Sequence, residues 1–453
     1  MEGLAVGRPP TTPPRPCGSA EAGPGLSMEE PLLTRLGEGI RKNGPELQAL
    51  VSGRMPAFVL GRRGAAQVPV FVFHEVEPER FERQLRFLRS NGYRTLDSDE
   101  LAAALERGHR PGRAVALTFD DASWSFWAFA FPLLRRYGLR AILFAVPGLV
   151  PEDGQHYPNL DDVAAGRCSP SDPSRRAATR PLCTWNELAT MHASGSVDIQ
   201  SHSATHVRVP IAPRLIDFLW PGYNTYWFGN VNVPLSVLDD PRRPERRLRL
   251  GAPVLESAPR LAGRPRFRED PELVAALVSR VEAEGGIEFF RRRGWRRHLR
   301  RLWAEWPPAR RGAFESLAEM EAAMRFELVA SRQQLEARLG KEVRHFCYPW
   351  FAGSPLADRC AAEAGYRTLH YGILGADAAA PGAPLRVARI SEEYLMSLPG
   401  AGRCSSWSVW AERVRRFVGQ PGVASALPHA RRSPPPPPAG SAGSGSGRTR
   451  GSR

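Results

Sequence analysis

The hydrophobic pattern in the first half of the chain predicts a strand followed by an amphipathic helix. The apolar run VPVFVFHEV begins at Val68 and is rich in the β-branched and aromatic residues that strands favour. In PERFERQLRFLRSNGY, which follows closely, Phe81, Leu85 and Leu88 recur at helical spacing and Gly92 provides a stop signal. We therefore predict one complete β/α unit between Val68 and Gly92.

Similar strand and helix patterns repeat along the chain. Thr184 and Glu187 have the spacing of a capping box, in which two side chains satisfy backbone N–H groups at a helix start. The predicted elements are strands at 114–119, 140–148, 197–202 and 343–349, helices at 126–138, 184–195 and 312–339, a helix in SPLADRCAAEAG and a strand in YRTLHYG. This alternation predicts an α/β fold with a mostly parallel sheet, open or closed into a barrel, and functional residues at the carboxyl ends of its strands.

The alternation stops after Val209 and resumes near residue 311. The stretch between contains a predicted helix that begins at Asp270 with Pro271 in its first turn, and it is too long for a loop in a compact domain. Both chain ends are rich in Pro and Gly, which predicts disorder. We divide the chain into a disordered N-terminal segment (1–27), a partly helical extension (28–66), the first part of the main domain (67–209), an inserted subdomain (210–310), the second part of the main domain (311–398), a C-terminal extension (399–426) and a disordered Pro/Gly/Ser tail (427–453).

The chain is strongly basic because of its arginines. Its formal net charge is +15, and Lys42 and Lys341 are the only lysines among 62 basic residues. A basic surface attracts anionic glycans, phospholipid headgroups or nucleic acid. No nucleic-acid-binding module is recognisable, so we expect no nucleic-acid partner. The 6 cysteines include no C-x-x-C pair, which argues against a zinc cluster or a disulfide scaffold.

Targeting signals are not recognisable in the sequence. The N-terminus lacks the basic and apolar regions of a secretory leader, and no apolar run has the length of a membrane-spanning helix. We therefore expect a cytoplasmic protein whose contact with a membrane is peripheral.

Three groups of residues follow predicted strands: Asp120 and Asp121 in TFDD, His202 and His206 in SHSATH, and CYPWF at 347–351. Two histidines four residues apart can present both imidazoles on one side of a turn, and a carboxylate can complete three protein ligands for a catalytic metal. The second carboxylate can then act as a general base. Each pattern alone is more often structural, as a core or surface histidine or an acidic helix cap. Their combination in this order favours a catalytic metal site.

A known family combines these motifs. The segments VFVFHEV, LTFDD, FPLLRRYGLRAILFAVPG, TWNEL, SHSATH and VRHFCYPWF resemble the polysaccharide deacetylases, the NodB-homology proteins of carbohydrate esterase family 4. The resemblance covers about 68–209 and resumes over 326–390. It implies a distorted (β/α) barrel of about seven strands, interrupted here by the insert, and metal-dependent deacetylation of a carbohydrate.

The resemblance also implies roles for the motif residues. Asp120 would be the general base. A divalent metal ion, zinc in the first place with cobalt, nickel or iron as alternatives, would be bound by Asp121, His202 and His206. The remaining motif, CYPWF, would supply the groups that stabilise the oxyanion of the tetrahedral intermediate.

CYPWF is also where the sequence departs from the family. The resemblance places Tyr348, Pro349 and Trp350 on the oxyanion and substrate side of the site, with a backbone N–H near Trp350 as the donor. Cys347 stands where many members have an arginine, although a subset with an AYPYG-like motif also lacks it. Ala122 replaces the usual glycine after TFDD.

The general acid needs another residue in this chain, because the family's late histidine is not recognisable. His74 ends the first predicted strand and corresponds to an N-terminal histidine of the AYPYG-like subset, so it is our preferred acid. His370 in RTLHYG is a second candidate, and a structural role is the alternative for both. Arg389 in RVARI is either a partner of a site carboxylate or a solvated residue.

The insert contains two candidate binding segments. The segment LWPGYNTYWFG (219–229) supplies aromatic rings that suit a sugar or a membrane interface. Asn224 and Asn230 supply amide groups for hydrogen bonds. The alternative is that aromatic side chains form the insert's own small core: Trp220, Tyr223, Trp227 and Phe228. The arginine-rich segment 291–311 is either a basic amphipathic helix on an anionic membrane or a helix that packs on the barrel with a solvated charged face.

The motifs and the resemblance together predict a metal-dependent carbohydrate deacetylase. It would hydrolyse the acetamide, or an acetyl ester, of N-acetylhexosamine units in a polysaccharide or a lipid-linked glycan. The alternative is a catalytically degenerate relative that binds glycan or anionic membrane. The missing late histidine and the missing arginine favour this alternative, whereas the intact base and metal ligands argue against it.

Overall fold

A computed structural model describes residues 44–46, 48–61, 68–108, 110–152, 154–155, 157–176, 182–221, 223, 249–375 and 382–418. The predicted N-terminal segment 1–27 and tail 427–453 lie outside these residues. The chain forms two compact units, 1–406 and 407–453. The first contains the sheet and the insert, and the described part of the second consists of a helix that begins at the boundary.

The described secondary structure begins with helical residues at 44–46 and 48–51. The labelled elements, in chain order, are β1 (Val70–Phe73), α1 (Pro78–Ser90), β2 (Arg94–Thr95), α2 (Ser98–Glu106), β3 (Ala114–Phe119), α3 (Phe131–Tyr137), β4 (Ala141–Ala145), α4 (Leu160–Ala164), α5 (Trp185–Ala193), β5 (Val197–Ser201), β6 (Arg208–Phe218), β7 (Pro253–Pro259), β8 (Phe267–Glu269), α6 (Pro271–Ala283), α7 (Trp295–Glu305), β9 (Gly312–Phe314), α8 (Leu317–Leu339), β10 (His345–Cys347), α9 (Pro355–Glu363), β11 (Thr368–Tyr371), β12 (Leu385–Ala388), β13 (Ile390–Ser391) and α10 (Ser406–Val418). A π-helical turn, Phe126–Ala130, leads into α3.

The main sheet is parallel and nearly closes into a barrel. Its strand order is β12-β11-β10-β5-β4-β3-β1-β13, with β2 paired to β3. Only Arg389 separates β12 from β13, so a single stretch of chain pairs with β11 at one edge and with β1 at the other. Counting this stretch as one strand gives seven positions, β1, β3, β4, β5, β10, β11 and the closing segment. The predicted barrel of about seven strands is confirmed.

Apolar side chains on both faces explain why the sequence forms this sheet. All six residues of β3, AVALTF, are buried, as are all five of β4, AILFA. Continuous apolar runs of this kind are typical of parallel strands that are covered on both faces. The polar residues that follow these strands therefore reach the carboxyl edge of the barrel together.

The predicted start of the long helix was wrong. Residues 312–314 form strand β9, and α8 begins at Leu317 after Ser316, whose side chain and that of Glu319 form a capping box. Residues 312–314 pair with β8 instead of continuing the helix, and the Ser316 cap sets the helix start. Helix α5 does start after Thr184, with the predicted capping box to Glu187.

The insert has its own apolar core. β6 pairs antiparallel with β7, β8 pairs with β9, and helices α6 and α7 pack against them. The buried residues of this core include Phe218, Leu273, Leu277, Phe289, Trp295, Leu299 and Trp303. Trp220 packs against it and Tyr223 against a neighbouring cluster, as expected for the core interpretation. Asn224, Trp227, Phe228 and Asn230 lie outside the described residues.

The apolar face of the arginine-rich helix α7 is occupied within the protein. Trp295, Leu299 and Trp303 are buried in the insert core, and Arg296 forms an ion pair with Asp217. This face is therefore not available to a lipid surface. Within the described residues, none of the helices combines the length and apolar character required to span a membrane.

Gly148 provides a test of how closely the barrel loops pack. Its N–H donates to the carbonyl of Ala204 at 2.9 Å, and a Cβ on residue 148 would lie 2.3 Å from that oxygen. We predict that Gly148→Ala lowers the free energy of unfolding by about 1–3 kcal/mol, because the two backbones must separate. Gly154→Ala is the control, since a Cβ there meets nothing within 4 Å. Urea unfolding measures both, and equal stability of the two variants would contradict the prediction.

Candidate active site

Asp120 and Asp121 follow directly from β3 at the carboxyl edge of the barrel. The N–H of Asp120 donates to the carbonyl of Phe73 at 3.0 Å, which continues the pairing of β3 with β1. Asp121 and Ala122 then adopt left-handed backbone conformations with φ of 71° and 55°. This turn separates the surroundings of the two carboxylates, although they are adjacent in sequence.

The second motif places two imidazoles beside Asp121. Nε2 of His202 lies 3.3 Å from Oδ1 of Asp121, and Nε2 of His206 lies 3.5 Å from the same oxygen. Nδ1 of His202 lies 2.8 Å from the carbonyl oxygen of Cys347. A carbonyl can only accept, so Nδ1 carries a proton and donates it, and Nε2 is the ring nitrogen that faces Asp121.

These three residues fit a divalent metal ion. Their ligand atoms all lie within 4.8 Å of one another. Burial lowers the pKa of His206 to about 3, so its imidazole is neutral and able to bind a metal. Burial also disfavours the charged form of His202, but the thiol of Cys347 and the carboxylates of Asp120 and Asp121 raise its pKa above the usual range. Binding of a metal to His202 therefore requires the loss of a proton.

Asp120 has a different partner, the buried guanidinium of Arg389. Nη1 of Arg389 donates to Oδ1 at 2.6 Å, and Nη2 donates to Oδ2 at 2.8 Å. Burial raises the pKa of Asp120, but the positive charge of Arg389 and these hydrogen bonds outweigh burial and hold that pKa well below its usual range. Asp120 is therefore an anion at neutral pH.

A second combination of metal-binding atoms exists at the same place. Asp120, His202 and Cys347 also offer atoms within 4.8 Å of one another. The Cys347 thiol lies 3.6 and 3.7 Å from the two oxygens of Asp120. Because Arg389 already binds both of these oxygens, the group formed by Asp121, His202 and His206 is the better candidate.

The third motif forms a turn that covers one side of the site. Trp350 and Phe351 have φ of 59° and 58°, directly after Pro349. The ring centroids of Trp350 and His206 are 5.5 Å apart. The guanidinium carbon of Arg208 lies 5.3 Å from the centroid of the Trp350 ring. The backbone–backbone hydrogen bonds of the described residues use the N–H groups of Phe351 and Ala352 but not that of Trp350.

Backbone strain is concentrated in the three motif turns. Among the described residues, the non-glycine positions with positive φ are Asp121, Ala122, Ser203, His206, Trp350 and Phe351. Such conformations cost about 1–3 kcal/mol each and persist only where surrounding contacts enforce them. Their restriction to these turns is independent support for a functional site here.

The structure also locates the remaining predicted residues. Nε2 of His74 lies 4.0 Å from Oδ2 of Asp120, and 54% of its side chain is exposed, so it lies at the open side of the site. His370 is fully buried, with its ring against that of Phe144. The Tyr348 side chain is also fully buried, and its hydroxyl donates to Asp358 at 2.7 Å. Burial removes the side chains of His370 and Tyr348 from direct contact with a substrate in this structure.

Sequence patterns did not reveal two further contributors to the site. Cys347 orients His202 through its carbonyl group, which gives no signal in the amino-acid type. Glu327 on α8 binds the SHSATH turn through Thr205, although these residues lie 122 positions apart. An acidic residue within a long helix has no local feature that identifies such a partner.

A family model matches the part of the chain that contains the first two motifs. Residues 107–215 match the family described as polysaccharide deacetylase. This segment is therefore similar to the polysaccharide deacetylases. The match includes Asp120, Asp121, His202 and His206, and it confirms the resemblance identified from the sequence.

Individual relatives match shorter stretches of this chain. YxkH of Bacillus subtilis (strain 168), which is named as a polysaccharide deacetylase, is 29% identical over 90 residues, 18% of this chain and 32% of its own length. A poly-beta-1,6-N-acetyl-D-glucosamine N-deacetylase of Staphylococcus aureus (strain MSSA476) is 31% identical over 91 residues, 20% of this chain and 31% of its own. The chain thus spans about a third of the length of these curated relatives.

Solved structures of named deacetylases are similar over a longer stretch. The de-N-acetylase from Aggregatibacter actinomycetemcomitans is 15% identical, with 71% of this chain and 94% of that chain covered and a TM-score of 0.42. The BpsB deacetylase domain from Bordetella bronchiseptica is 17% identical, with 72% and 95% covered and a TM-score of 0.41.

The bond between Arg389 and Asp120 predicts a pH-dependent loss of stability. With Arg389→Met, the guanidinium no longer offsets the burial of Asp120, so the pKa of this carboxyl rises. We expect the metal-free variant to lose about 3–5 kcal/mol of unfolding free energy at pH 8, where a buried carboxylate is left without its cation. The loss should shrink at pH 5, because Asp120 then binds a proton in the variant but not in the wild type.

Urea unfolding at both pH values measures this difference. Arg386→Met is the matched control, since Arg386 on neighbouring β12 forms a more exposed ion pair with Asp358. We expect the control to lose less at pH 8. A loss for Arg389→Met that is the same at both pH values would contradict the assigned charge state of Asp120.

Proposed function

We propose that the chain is a metal-dependent deacetylase of a glycan. It would hydrolyse the acetamide, or an acetyl ester, of N-acetylhexosamine units in a polysaccharide or a lipid-linked glycan. The observation that supports this most is the separation of the two adjacent carboxylates. Asp121 lies beside His202 and His206, whereas Asp120 is bound by Arg389 and lies outside that ligand group.

Asp121, His202 and His206 would hold the metal ion. When bound, a divalent ion supplies a Lewis acid, which acidifies water and polarises a carbonyl oxygen. His202 is already oriented for this task, because its Nδ1–H donates to the Cys347 carbonyl. Such outer contacts to a ligand histidine fix its ring orientation and its tautomer.

Asp120 would accept the proton of the attacking water. Its carboxylate stays charged because Arg389 binds both oxygens, and each oxygen retains a further lone pair for a water molecule. Arg389 is itself held by the Tyr371 carbonyl at 3.2 Å and by Phe351, whose ring centroid is 5.1 Å from the guanidinium carbon. The base is therefore fixed in position as well as in charge.

The departures from the family pattern have physical substitutes. Arg389 supplies a cation to the base that Cys347 cannot supply. His74 supplies a titratable group near Asp120 and open to solvent. We propose His74 as the acid that donates a proton to the leaving amine. Because both substitutes are present, we favour an active enzyme over a degenerate binding protein.

The substrate side of the site has two partly exposed aromatic rings. Trp350 is 38% exposed and Phe351 is 39% exposed, on the turn that follows Pro349. Aromatic faces beside a polar site suit the stacking of a sugar ring. The Trp350 N–H is the proposed donor to the developing oxyanion. The relative named as an N-acetylglucosamine polymer deacetylase supports an N-acetylhexosamine as the acetylated unit.

The different roles of the two carboxylates predict different defects. We expect Asp120→Asn to lower kcat for release of acetate from an N-acetylglucosamine oligomer by about 10²- to 10⁴-fold while metal binding is retained. We expect Asp121→Ala to lose metal binding as well as activity. Asp217→Asn, which alters an insert carboxylate, is the control and should change neither.

Acetate release and metal content per chain measure both properties. If Asp120→Asn lost metal to the same extent as Asp121→Ala, the separate roles would be wrong. If the wild-type protein bound metal but released no acetate from any acetylated amino sugar, the degenerate binding protein would be the better description.

The proposed acid predicts a dependence on the leaving group. An amine must be protonated to leave, whereas the phenolate of an aryl acetate leaves without a proton. We therefore expect His74→Ala to lower kcat for the acetamide substrate by about 10²-fold or more and to affect aryl acetate hydrolysis much less. Comparison of the two rates in the same variant is the measurement.

Two histidine variants provide the controls for this comparison. His192→Ala, on α5, should change neither rate. His370→Gln should lower stability, because a buried side chain is altered, and should affect both substrates in proportion. An equal loss of both activities in His74→Ala would exclude His74 as the general acid.

A further inference from the structure

The turn that contains His206 is bound by Glu327, a residue of helix α8, in addition to the hydrogen bond from Gly148. The carboxylate of Glu327, near the middle of α8, accepts the Thr205 N–H at Oε2 (2.9 Å) and the Thr205 hydroxyl at Oε1 (2.6 Å). The backbone carbonyl of Glu327 accepts the N–H of Ala204 at 2.9 Å. One residue thus binds three consecutive donors in the segment between the two histidines.

This turn needs such support for two reasons. Ser203 and His206 both have left-handed backbone conformations, with φ of 68° and 57°, which L-residues adopt only under constraint. His206 is also followed after one residue by β6, the strand with which the chain enters the insert. Without an anchor on the barrel side, movement of the insert would be transmitted directly to the His206 ring.

Glu327 is suited to this task because it is held rigidly. It is buried, and its helix packs against β5, where Ser331 and Ser201 share a hydrogen bond of 2.6 Å. From the insert side, Pro259 and Arg260 line one small cavity together with His206 and Glu327. Arg260 is itself fixed by two hydrogen bonds to Glu315. The turn therefore lies between two rigid supports.

We infer that Glu327 is a positioning residue of the metal site, which keeps Nε2 of His206 in place by binding Thr205. This inference rests on the proposed metal site. Glu327 binds neither metal nor substrate, and its effect passes through the peptide segment 204–206. Loss of the two hydrogen bonds between Thr205 and the Glu327 carboxylate would free the His206 ring to move. The three ligand side chains themselves would be unchanged.

Glu327→Met tests this role, because it keeps the length of the side chain and the helix propensity but removes both acceptors. We expect its affinity for zinc to fall by about 10- to 100-fold in a competition titration with a chromophoric chelator. Glu327→Gln should remain within about threefold of the wild type. Its amide oxygen can accept the Thr205 N–H, and its NH₂ group can donate to the Thr205 hydroxyl.

Glu336→Met provides a matched control for stability. Glu336 lies on the same helix, and its carboxylate accepts the Val343 N–H at 3.0 Å, away from the metal ligands. We expect this variant to unfold at a lower temperature in the metal-free state but to bind zinc like the wild type. Metal-free melting temperatures of all variants separate loss of folding from loss of positioning.

The outcomes distinguish this inference from the proposed function. If Glu327→Met binds zinc as tightly as the wild type, Glu327 does not position His206 and the inference fails, while the metal site stands. If Glu327→Gln loses as much affinity as Glu327→Met, conservative rescue fails and the inference is again overturned. If the wild type binds no divalent metal, the proposed metal site fails and this inference fails with it.

Discussion

The ion pair between Arg389 and Asp120 connects the closing segment of the barrel with the proposed catalytic base. Arg389 is the single residue between β12 and β13, so it lies in the stretch that pairs with both edges of the sheet. From there its guanidinium reaches Asp120 at the end of β3 with two short hydrogen bonds. A buried charge pair of this kind is tolerated only when both partners are well bonded. The residue that keeps the proposed base anionic thus lies within the segment that closes the barrel.

The site around this pair relies on enforced backbone geometry. All three motif turns contain left-handed non-glycine residues, and each turn is bound by contacts from elsewhere in the fold. The Ala122 carbonyl accepts the N–H of Cys183, the SHSATH turn is bound by Glu327 and Gly148, and the buried Tyr348 hydroxyl is bound to Asp358. Contacts with the rest of the fold therefore offset the backbone strain of the turns, as expected at a functional site.

Sequence reasoning succeeded where a signal is local and failed where a partner is distant. The apolar strands and the motifs TFDD and SHSATH predicted the sheet and the position of Asp121 beside two histidines, because each strand end is visible in a few residues. The partner of Asp120 was left open, because Arg389 follows it by 269 positions and only the closed barrel brings them together. The start of α8 was misplaced, because the pairing of β9 with β8 has no local signal and the capping box of Ser316 and Glu319 was overlooked.

A crystal structure of the protein with bound zinc, with anomalous diffraction collected at the zinc edge, tests the central claim most directly. We expect one strong anomalous peak between Oδ1 of Asp121 and the Nε2 atoms of His202 and His206, with Asp120 still bound to Arg389. A peak bound by Asp120 and the Cys347 thiol, or no peak near these residues, would contradict it.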